Sequence, residues 1–387
     1  MKPLFCEMTE WWNWYYIENQ ISPHFFYYPV RLMIEKGFDT EVLTVLHPER
    51  RELKYETRKN LSIYRLERKT MPMLCFHLLK QISRKNYSLI HMHDIYWLAD
   101  SASWIASRIK NIPVVYTSHN HFQFSRLLEQ TSQLPFMRER LIRRLLVESS
   151  EKHVFIAFTK AEAETYSRIG VKRIEVIPHG IDPEFFNVEH DKNVAEKYKL
   201  GDFNILCVGA YDHRKGQRFL VRSMPKILKQ CHSAKLLLVG RVYSTPQMDY
   251  LEELRSDVSR LGLENCVRFI SDLSRSELIQ IYLASSMFAL PSQAEMFGLV
   301  FLEAMAAGLP IMTVKKPHIT ELLGNGKAGI LVDRDQESIE GAMLSLLENT
   351  RLRKNLQRNG FQLVQEKYRL DKVIQQLWNL YQRMMND

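Results

Sequence analysis

Apolar and polar positions alternate along this chain of 387 residues in two recurring patterns. Short apolar runs, such as those at 61–66, 267–270 and 311–314, predict buried β-strands. The segments between them place apolar residues at helical spacing and are bounded by Gly, Pro and polar residues. Strands that alternate with helices are typical of a parallel sheet covered by helices on both faces. The pattern therefore predicts an α/β fold, in which ligands bind at the carboxyl ends of the strands.

The predicted elements cover most of the chain. Strands are predicted at 2–6, 40–46, 61–66, 89–94, 113–117, 153–158, 203–208, 236–240, 267–270, 287–290, 311–314 and 330–332. Helices are predicted at 31–37, 74–82, 99–109, 136–147, 251–261, 274–282, 299–307, 338–347, 352–365 and 368–385. Thr159 is predicted to open a further helix, and Ser274 with Glu277 three residues later predicts a capping box.

Length and composition limit the class of protein. At 387 residues the chain is too long for one hydrophobic core and fits two domains. Its 45% apolar and 25% charged residues are ordinary for a soluble globular protein. No apolar run reaches the length of about eighteen residues that a membrane span needs, and the N-terminus lacks a signal peptide's apolar stretch. The scattered cysteines favour buried thiols in a reducing cytosol over a disulfide framework or a zinc site; they are Cys6, Cys75, Cys207, Cys231 and Cys266.

The net charge of +9 arises from one part of the chain. Residues 51–150 hold 17 Lys and Arg against 8 Asp and Glu, and the rest of the chain is balanced. This surplus fits contact with an anionic membrane surface or an anionic acceptor, but a solvated surface explains it too and is the reading we favour. The basic amphipathic helix at 136–147 likewise fits a membrane surface, and we favour a core-facing helix. Aromatic clusters at 11–16 and 25–28 fit sugar stacking, a lipid interface or core packing.

The stretch 291–310, PSQAEMFGLVFLEAMAAGLP, carries the strongest chemical signal. It follows the predicted strand 287–290, and Gly298 precedes a short helix. The start of a helix presents unpaired N–H groups and a partial positive charge, and therefore binds anions. Gly298 leaves room for a phosphate to approach the backbone of Phe297 and Leu299.

Two acidic residues flank that helix start. Glu303 lies in the second turn, past the phosphate position, where a carboxylate can accept hydrogen bonds from the paired hydroxyls of a ribose. Glu295 precedes the helix, near whatever group is attached to the phosphate. This order of groups fits a nucleotide diphosphate joined to a sugar. A capped surface helix with two solvated glutamates is the alternative, and the complete run argues against it.

The same run resembles a known family. E-x-F-G, a second Glu eight positions after the first, and then E-A-M-A-x-G-x-P are similar to the E-x7-E signature of retaining GT-B glycosyltransferases, most of all glycosyltransferase family 4. The resemblance implies two Rossmann-like, doubly wound domains facing across a cleft. An acceptor-side domain is expected at 1–182, completed by a C-terminal helix at 368–387, and a nucleotide-sugar-binding domain at 183–367. Met296 departs from the pattern, where the family usually has Gly.

A second segment, 209–216, is similar to the family's G-R-x4-K-G loop, in which the Arg and the Lys hold the donor diphosphate. Lys215 matches by position, whereas Ala210 stands where the Arg is expected. Arg214 or Arg241 is the candidate for the missing cation. Without one, the phosphate loses a charge-assisted hydrogen bond on the order of 1.5–3 kcal/mol.

Further positions follow from the resemblance. His119, in PVVYTSHNHF, is similar to the family's histidine close to the donor sugar, and a hydrogen-bonding role at a strand end is the alternative. Glu295 and His119 are therefore expected at the transferred sugar as the catalytic residues. Leu273 lies in a loop that contacts the nucleobase in the family. The Gly-Gly loop that family members carry near the N-terminus is missing from this sequence.

Together these residues predict a retaining hexosyltransferase that moves a sugar from a nucleotide-diphosphate sugar to a hydroxyl acceptor, such as a glycan, a lipid-linked molecule or a small molecule. We expect no cofactor and no metal ion, because Asp, Glu and His do not cluster as metal ligands do. The expected location is the cytoplasm, including the membrane surface, without nucleic acid as a partner. A nucleotide-sugar epimerase on the same fold and a non-catalytic GT-B partner subunit stay open as alternatives.

Overall fold

In a computed structural model the chain folds into two compact units. The first unit consists of Met1–Gly180 and Asp371–Asp387, and the second of Ile181–Leu370. The structure describes residues 2–7, 27–45, 55–58, 60–66, 71–93, 109–117, 147–148, 150–186, 188–189, 191, 193–295 and 297–386.

The described strands of the first unit form one sheet. They are β1 (Pro3–Glu7), β2 (Thr40–Val45), β3 (Tyr55–Arg58), β4 (Leu61–Leu66), β5 (Leu89–His93), β6 (Val114–Thr117), β7 (Val154–Ala157) and β8 (Ile174–Val176). Their order is β3–β4–β2–β1–β5–β6–β7–β8. Neighbouring strands are parallel except β3 and β4, which pair antiparallel, because the sequence between Arg58 and Leu61 is too short for the crossover that parallel strands need. The predicted parallel sheet is confirmed, with one antiparallel strand at its edge.

Helices cover both faces of this first sheet. They are α1 (Tyr27–Glu35), α2 (Met71–Arg84), α3 (Lys160–Arg168) and α12 (Leu370–Asn386), which enters this unit after its first residue. Successive residues of β1 point to opposite faces, as strand geometry requires. Leu4 therefore packs in one cluster with Leu78 of α2, and Phe5 packs in another with Met33 of α1 and Tyr381 of α12.

A buried polar contact ties α12 to the sheet. His91 Nδ1 lies 2.6 Å from the Tyr381 hydroxyl, and His91 Nε2 lies 2.8 Å from Thr117 Oγ1. The ring of His93 stacks on that of His91 at 4.1 Å between centroids. Both nitrogens of His91 are therefore hydrogen-bonded inside the unit.

The second unit has a fully parallel sheet in its described part. Its strands are β9 (Asn204–Val208), β10 (Lys235–Val239), β11 (Val267–Ile270), β12 (Met287–Leu290), β13 (Ile311–Val314) and β14 (Gly329–Val332). Their order is β11–β10–β9–β12–β13–β14. This is the doubly wound arrangement, in which the strand order reverses once, here between β9 and β12.

Helices alternate with these strands. They are α4 (Val194–Lys197), α5 (Gln217–Gln230), α6 (Thr245–Arg260), α7 (Arg275–Leu283), α8 (Leu299–Ala306), α9 (Pro317–Leu322), α10 (Gln336–Glu348) and α11 (Thr350–Leu363), with 3-10 turns at Pro183–Phe186 and His213–Lys215 and a π-turn at Val364–Tyr368. The predicted capping box of Ser274 and Glu277 at the start of α7 is confirmed. The sequence pattern does not predict α5, whose apolar face is interrupted by Pro225.

Parts of the sequence prediction lie outside the described residues. These are the helix at 136–147 up to residue 146, the aromatic cluster at 11–16 and most of the helix at 99–109. Across the part of the chain that the structure describes, no helix is long and apolar enough to cross a membrane.

Candidate active site

Two loops meet where the strand order of the second sheet reverses. The loop 209–216 leaves the carboxyl end of β9, and the loop 291–298 leaves the carboxyl end of β12, which is the neighbour of β9. Since adjacent parallel strands carry their crossovers to opposite faces at this point, a crevice opens between the two loops. Both sequence motifs predicted to bind the donor therefore lie at one edge of the sheet.

A charged pair joins the two loops. Lys215 Nζ donates to Glu295 Oε1 at 2.6 Å, although the residues lie 80 positions apart. The side chains are 23% and 11% exposed, so the pair is only partly reached by water. A cation and an anion predicted from separate motifs are thus in direct contact.

Two glycines let helices start at this edge. Gly216 precedes α5 with φ of +75°, and Gly298 precedes α8 with φ of +83°, a region that favours glycine. A Cβ on Gly216 would lie 2.5 Å from the carbonyl oxygen of Pro291, and one on Gly298 would lie 2.5 Å from the ring of Phe301. Neither glycine can cap its helix with a side chain. At α5 the Arg218 N–H already donates to the Tyr250 hydroxyl at 3.2 Å, so the start of α8 is the better site for an anion.

Side chains that the sequence did not single out hold the loops together. Arg334 donates from Nε to the carbonyl of Pro291 at 3.1 Å and from Nη2 to the carbonyl of His213 at 2.9 Å. His318 Nε2 lies 2.8 Å from the backbone oxygen of Glu295. No sequence signal marks these residues, because each contacts backbone atoms far away along the chain.

Glu303 lies inside the protein, in the second turn of α8 as predicted. Its carboxylate accepts from the Tyr282 hydroxyl at 2.8 Å and from Arg275 Nη1 at 3.3 Å. Burial raises the pKa of Glu303 above its ordinary value, and the neighbouring Arg275 charge and the Tyr282 hydrogen bond oppose that rise. Tyr282 and Arg275 are functional candidates that the sequence reading missed.

The two arginines considered for the missing cation differ in their surroundings. Arg214 is held by Asp212, with contacts of 3.1 and 3.3 Å from Nε and 2.9 Å from Nη2. Arg241 lies 3.8 Å from Asp272 through Nε and its side chain is 40% exposed. Arg241 is therefore the less constrained of the two cations.

The backbone also brings Arg241 near the position of the missing arginine. The Gly209 N–H donates to the carbonyl of Val239 at 2.9 Å, and a Cβ on Gly240 would lie 2.2 Å from the Gly209 oxygen. Ala210 and Arg241 consequently follow directly after two glycines that lie side by side at the carboxyl ends of β9 and β10.

The remaining predicted positions have distinct environments. Leu273 is half-buried in the loop between β11 and α7, and Leu299 is the first residue of α8. Phe297 is buried, with its ring edge-on to Tyr368 at 6.3 Å between centroids. His119 lies outside the described residues, as does Met296.

The arrangement can bind an anion with several negative charges. It combines a lysine and the start of α8 at one crevice, and the exposed Arg241 follows β10, the other neighbour of β9; each is a favourable partner for phosphate oxygens. A search of the described residues finds no group of three or more His, Cys, Asp or Glu side chains that could hold a metal ion.

Sequence families match both units. The family described as Glycosyl transferases group 1 matches residues 189–363, and the family described as Glycosyltransferase Family 4 matches residues 26–185. An uncharacterised glycosyltransferase of Methanocaldococcus jannaschii is 27% identical over 375 residues, covering 91% of this chain and 92% of that protein. A D-inositol 3-phosphate glycosyltransferase of Jonesia denitrificans is 28% identical over 311 residues, covering 77% of this chain and 72% of that protein.

Solved structures share the fold along the whole chain. Sucrose-phosphate synthase from Thermosynechococcus elongatus superposes with a TM-score of 0.76 at 19% identity, covering 100% of both chains. HepE from Anabaena, solved in complex with UDP and glucose, superposes with a TM-score of 0.72 at 21% identity, covering 99% of this chain and 100% of that one. At these identities the likeness establishes the fold.

Proposed function

This chain belongs to the GT-B glycosyltransferases of the family 4-like type, and from that premise we propose that it transfers a sugar from a nucleotide-diphosphate sugar to a hydroxyl acceptor with retention of the anomeric configuration. The observation that carries the proposal is the contact of Lys215 with Glu295 at the point where the strand order reverses. An ammonium group, the start of α8 and an acid are gathered there, as a sugar attached to a diphosphate requires.

The donor diphosphate is bound by Lys215 and by the first N–H groups of α8. Their position past Gly298 allows phosphate oxygens to reach the backbone of Phe297 and Leu299. Only glycine fits at position 298, because φ is positive there and a Cβ would clash with the ring of Phe301. Binding by backbone groups costs no side-chain ordering, and this favours a preorganised site.

Arg241 supplies the second cation. Its strand ends beside the strand that precedes Ala210, and within the described residues its side chain makes one charged contact, a 3.8 Å approach to the exposed Asp272. Arg214 would have to leave its three contacts with Asp212 to serve in the same way. The lower cost of moving Arg241 supports its assignment to the diphosphate.

The carboxylate of Glu303 accepts hydrogen bonds from the ribose hydroxyls, and Leu273 lies against the nucleobase. A carboxylate has about four lone-pair positions, and Tyr282 and Arg275 occupy two of them. Two positions therefore remain, which matches the two hydroxyls of a ribose. The half-buried Leu273 lies in the loop that immediately precedes α7, the helix that carries both partners of Glu303.

Transfer proceeds by departure of the diphosphate. The bond from the anomeric carbon to the phosphate oxygen breaks, the acceptor oxygen forms its bond to the same face of that carbon, and the acceptor proton passes to the departing phosphate. Lys215 and Arg241 stabilise the negative charge that develops on the leaving group. We propose Glu295 as a catalytic residue at the sugar; His119, the other predicted catalytic residue, lies outside the described residues. No side chain has to act as a covalent nucleophile.

The acceptor is a hydroxyl of a glycan, a lipid-linked molecule or a small molecule. Relatives named for glycosyl transfer to D-inositol 3-phosphate support a hydroxylated, negatively charged small molecule as one candidate. We propose a cytoplasmic reaction without cofactor or metal ion. The basic surplus of residues 51–150 is compatible with peripheral contact with an anionic membrane, although a solvated surface is the reading we favour.

A binding screen tests the donor assignment. Calorimetry with the diphosphates of uridine, guanosine and adenosine, followed by the corresponding nucleotide sugars, should find one base that binds with a Kd in the micromolar range, about −8 kcal/mol. Uridine diphosphate is the first probe, because it is present in the HepE structure. Failure of all three diphosphates to bind would refute the proposal.

A further inference from the structure

Glu303 is held by two side chains of α7. The Tyr282 hydroxyl donates to Oε2 at 2.8 Å, and Arg275 Nη1 donates to Oε1 at 3.3 Å. The side chains of Arg275 and Glu303 are 10% and 7% exposed, so this cluster lies in the interior. We propose that Arg275 is a positioning residue which, together with Tyr282, presents Glu303 to the ribose of the donor, an inference that rests on the proposed function.

The guanidinium of Arg275 is itself fixed in place. Its Nε lies 3.6 Å from Glu184 Oε2, and its central carbon lies 5.0 Å from the ring centroid of Phe185. Both residues belong to the 3-10 turn Pro183–Phe186. A planar guanidinium held by an acid and an aromatic ring loses little further freedom when it orients a carboxylate.

One donor of Arg275 is left over for a ligand. Nη2 is buried and donates to no other atom within the described residues. It belongs to the same guanidinium as Nη1, which contacts Glu303. A buried N–H without an acceptor is costly, so a ribose oxygen that binds Glu303 would also satisfy this donor. The cluster therefore fits a diol, which accepts one hydrogen bond and donates two.

Arg275 also opposes the rise that burial causes in the pKa of Glu303. Burial raises the pKa of Glu303, and the two groups facing it, Arg275 and the Tyr282 hydroxyl, lower it again. Glu184 faces Arg275 from the 3-10 turn, and Tyr368, on the π-turn packed against α8, contacts Phe297. Loss of Arg275 would raise the pKa further, and a protonated Glu303 would donate one hydrogen bond and lose acceptor positions that the diol needs.

Binding of ribonucleotides and deoxyribonucleotides tests the positioning role. The probes are the diphosphates of uridine, guanosine and adenosine and their 3′-deoxy analogues, titrated calorimetrically against the protein at a series of pH values. The wild type should bind one ribonucleotide about tenfold more tightly than its deoxy analogue, as one lost hydrogen bond predicts. Arg275→Gln should reduce this preference to about threefold or less and, as the pH falls, should lose affinity at a higher pH than the wild type. The pH profile of Arg275→Lys, which keeps the charge, should lie between those of Arg275→Gln and the wild type.

The controls separate positioning from folding. Arg353→Gln removes a second arginine of the same unit, which donates to the carbonyls of Leu346 and Leu347 and contacts no residue of the site; it should leave the preference unchanged. If Arg275→Gln loses its cooperative thermal transition, Tyr282→Phe replaces it, because that change removes one contact of Glu303 without altering charge. Tyr282→Phe should also reduce the ratio between the affinity for the ribonucleotide and that for its 3′-deoxy analogue.

The outcomes are distinct. A folded Arg275→Gln protein that keeps both the ribonucleotide preference and the pH profile of the wild type overturns the positioning role. Wild-type protein that binds a nucleoside diphosphate without preferring the ribose form overturns the role of Glu303 and leaves the diphosphate site intact. Protein that binds none of the diphosphates refutes the proposed function and this inference together.

Discussion

Replacing Lys215 by alanine should slow sugar transfer strongly. Lys215 Nζ contacts Glu295 across the two loops of the crevice, and its side chain is 23% exposed, so its charge is only partly screened by water. Removing one preorganised donor that stabilises a developing negative charge costs about 2.7–4 kcal/mol, a loss of about 10²–10³ in kcat. With the donor identified by the binding screen, we therefore expect Lys215→Ala to lower kcat by about 10²–10³.

The same variant should weaken the binding of the nucleoside diphosphate more than the binding of the nucleoside, which lacks the phosphates. Lys215→Ala should lower the affinity for the nucleoside diphosphate by about 1.5–3 kcal/mol, the worth of a charge-assisted hydrogen bond, and should leave the affinity for the nucleoside nearly unchanged. Lys215→Arg keeps the charge and should recover part of the rate. Comparing the two ligands separates a loss at the phosphate from a general disturbance of the crevice.

Lys226→Ala is the matched control for this experiment. Lys226 also forms an ion pair with a glutamate of the same unit, Glu340, but belongs to neither loop of the crevice. Because the lysine is exposed, loss of this ion pair should lower the free energy of unfolding by about 0–1 kcal/mol and should leave kcat unaltered. If Lys215→Ala protein turns over at close to the wild-type rate, or if Lys226→Ala slows the reaction equally, the phosphate assignment of Lys215 is wrong.

Four further outcomes are expected. Glu303→Ala should weaken nucleotide binding by at least tenfold in calorimetry, because the ribose hydroxyls lose a charged acceptor, and unchanged affinity would refute its ribose role. Gly298→Ala should lower the thermal midpoint by an amount equivalent to about 1–3 kcal/mol and impair transfer, since φ is +83° and the new Cβ would lie 2.5 Å from the Phe301 ring. Tyr381→Phe should destabilise the first unit by about 1–3 kcal/mol in denaturant unfolding, because it leaves buried His91 without its 2.6 Å partner. Transfer should persist in EDTA, and activity that returns only with a divalent cation would contradict the proposal of metal-free catalysis.

The sequence determined the elements because local patterns specify them. The strands Val267–Ile270 and Ile311–Val314 have the predicted bounds, since each is a short, mainly apolar segment between polar turns. The capping box of Ser274 and Glu277 is likewise a local arrangement and was readable. The motif around Lys215 and Glu295 could be found in the sequence because its residues lie at fixed spacing within each loop.

Other features of the fold depend on contacts that spacing does not encode. The helix α5 was not predicted from the sequence. Pro225 interrupts its pattern of apolar residues, yet packing of the apolar face keeps the segment helical. The antiparallel strand β3 has the polar sequence YETR and is held by its hydrogen bonds with β4. In both cases tertiary context outweighs local preference.

The sequence by itself therefore determined two α/β units and the short helix α8 after Gly298, and it predicted an anion site at the start of that helix and the residue types of a donor site. Only the tertiary structure decided which side chains meet: Lys215 with Glu295 across 80 positions, and Arg275 with Glu303 across 28. The physical reason is that the strand order of the sheet, which no local pattern specifies, brings the ends of β9 and β12 together. Once those ends are neighbours, the charges carried by their loops lie within hydrogen-bonding distance.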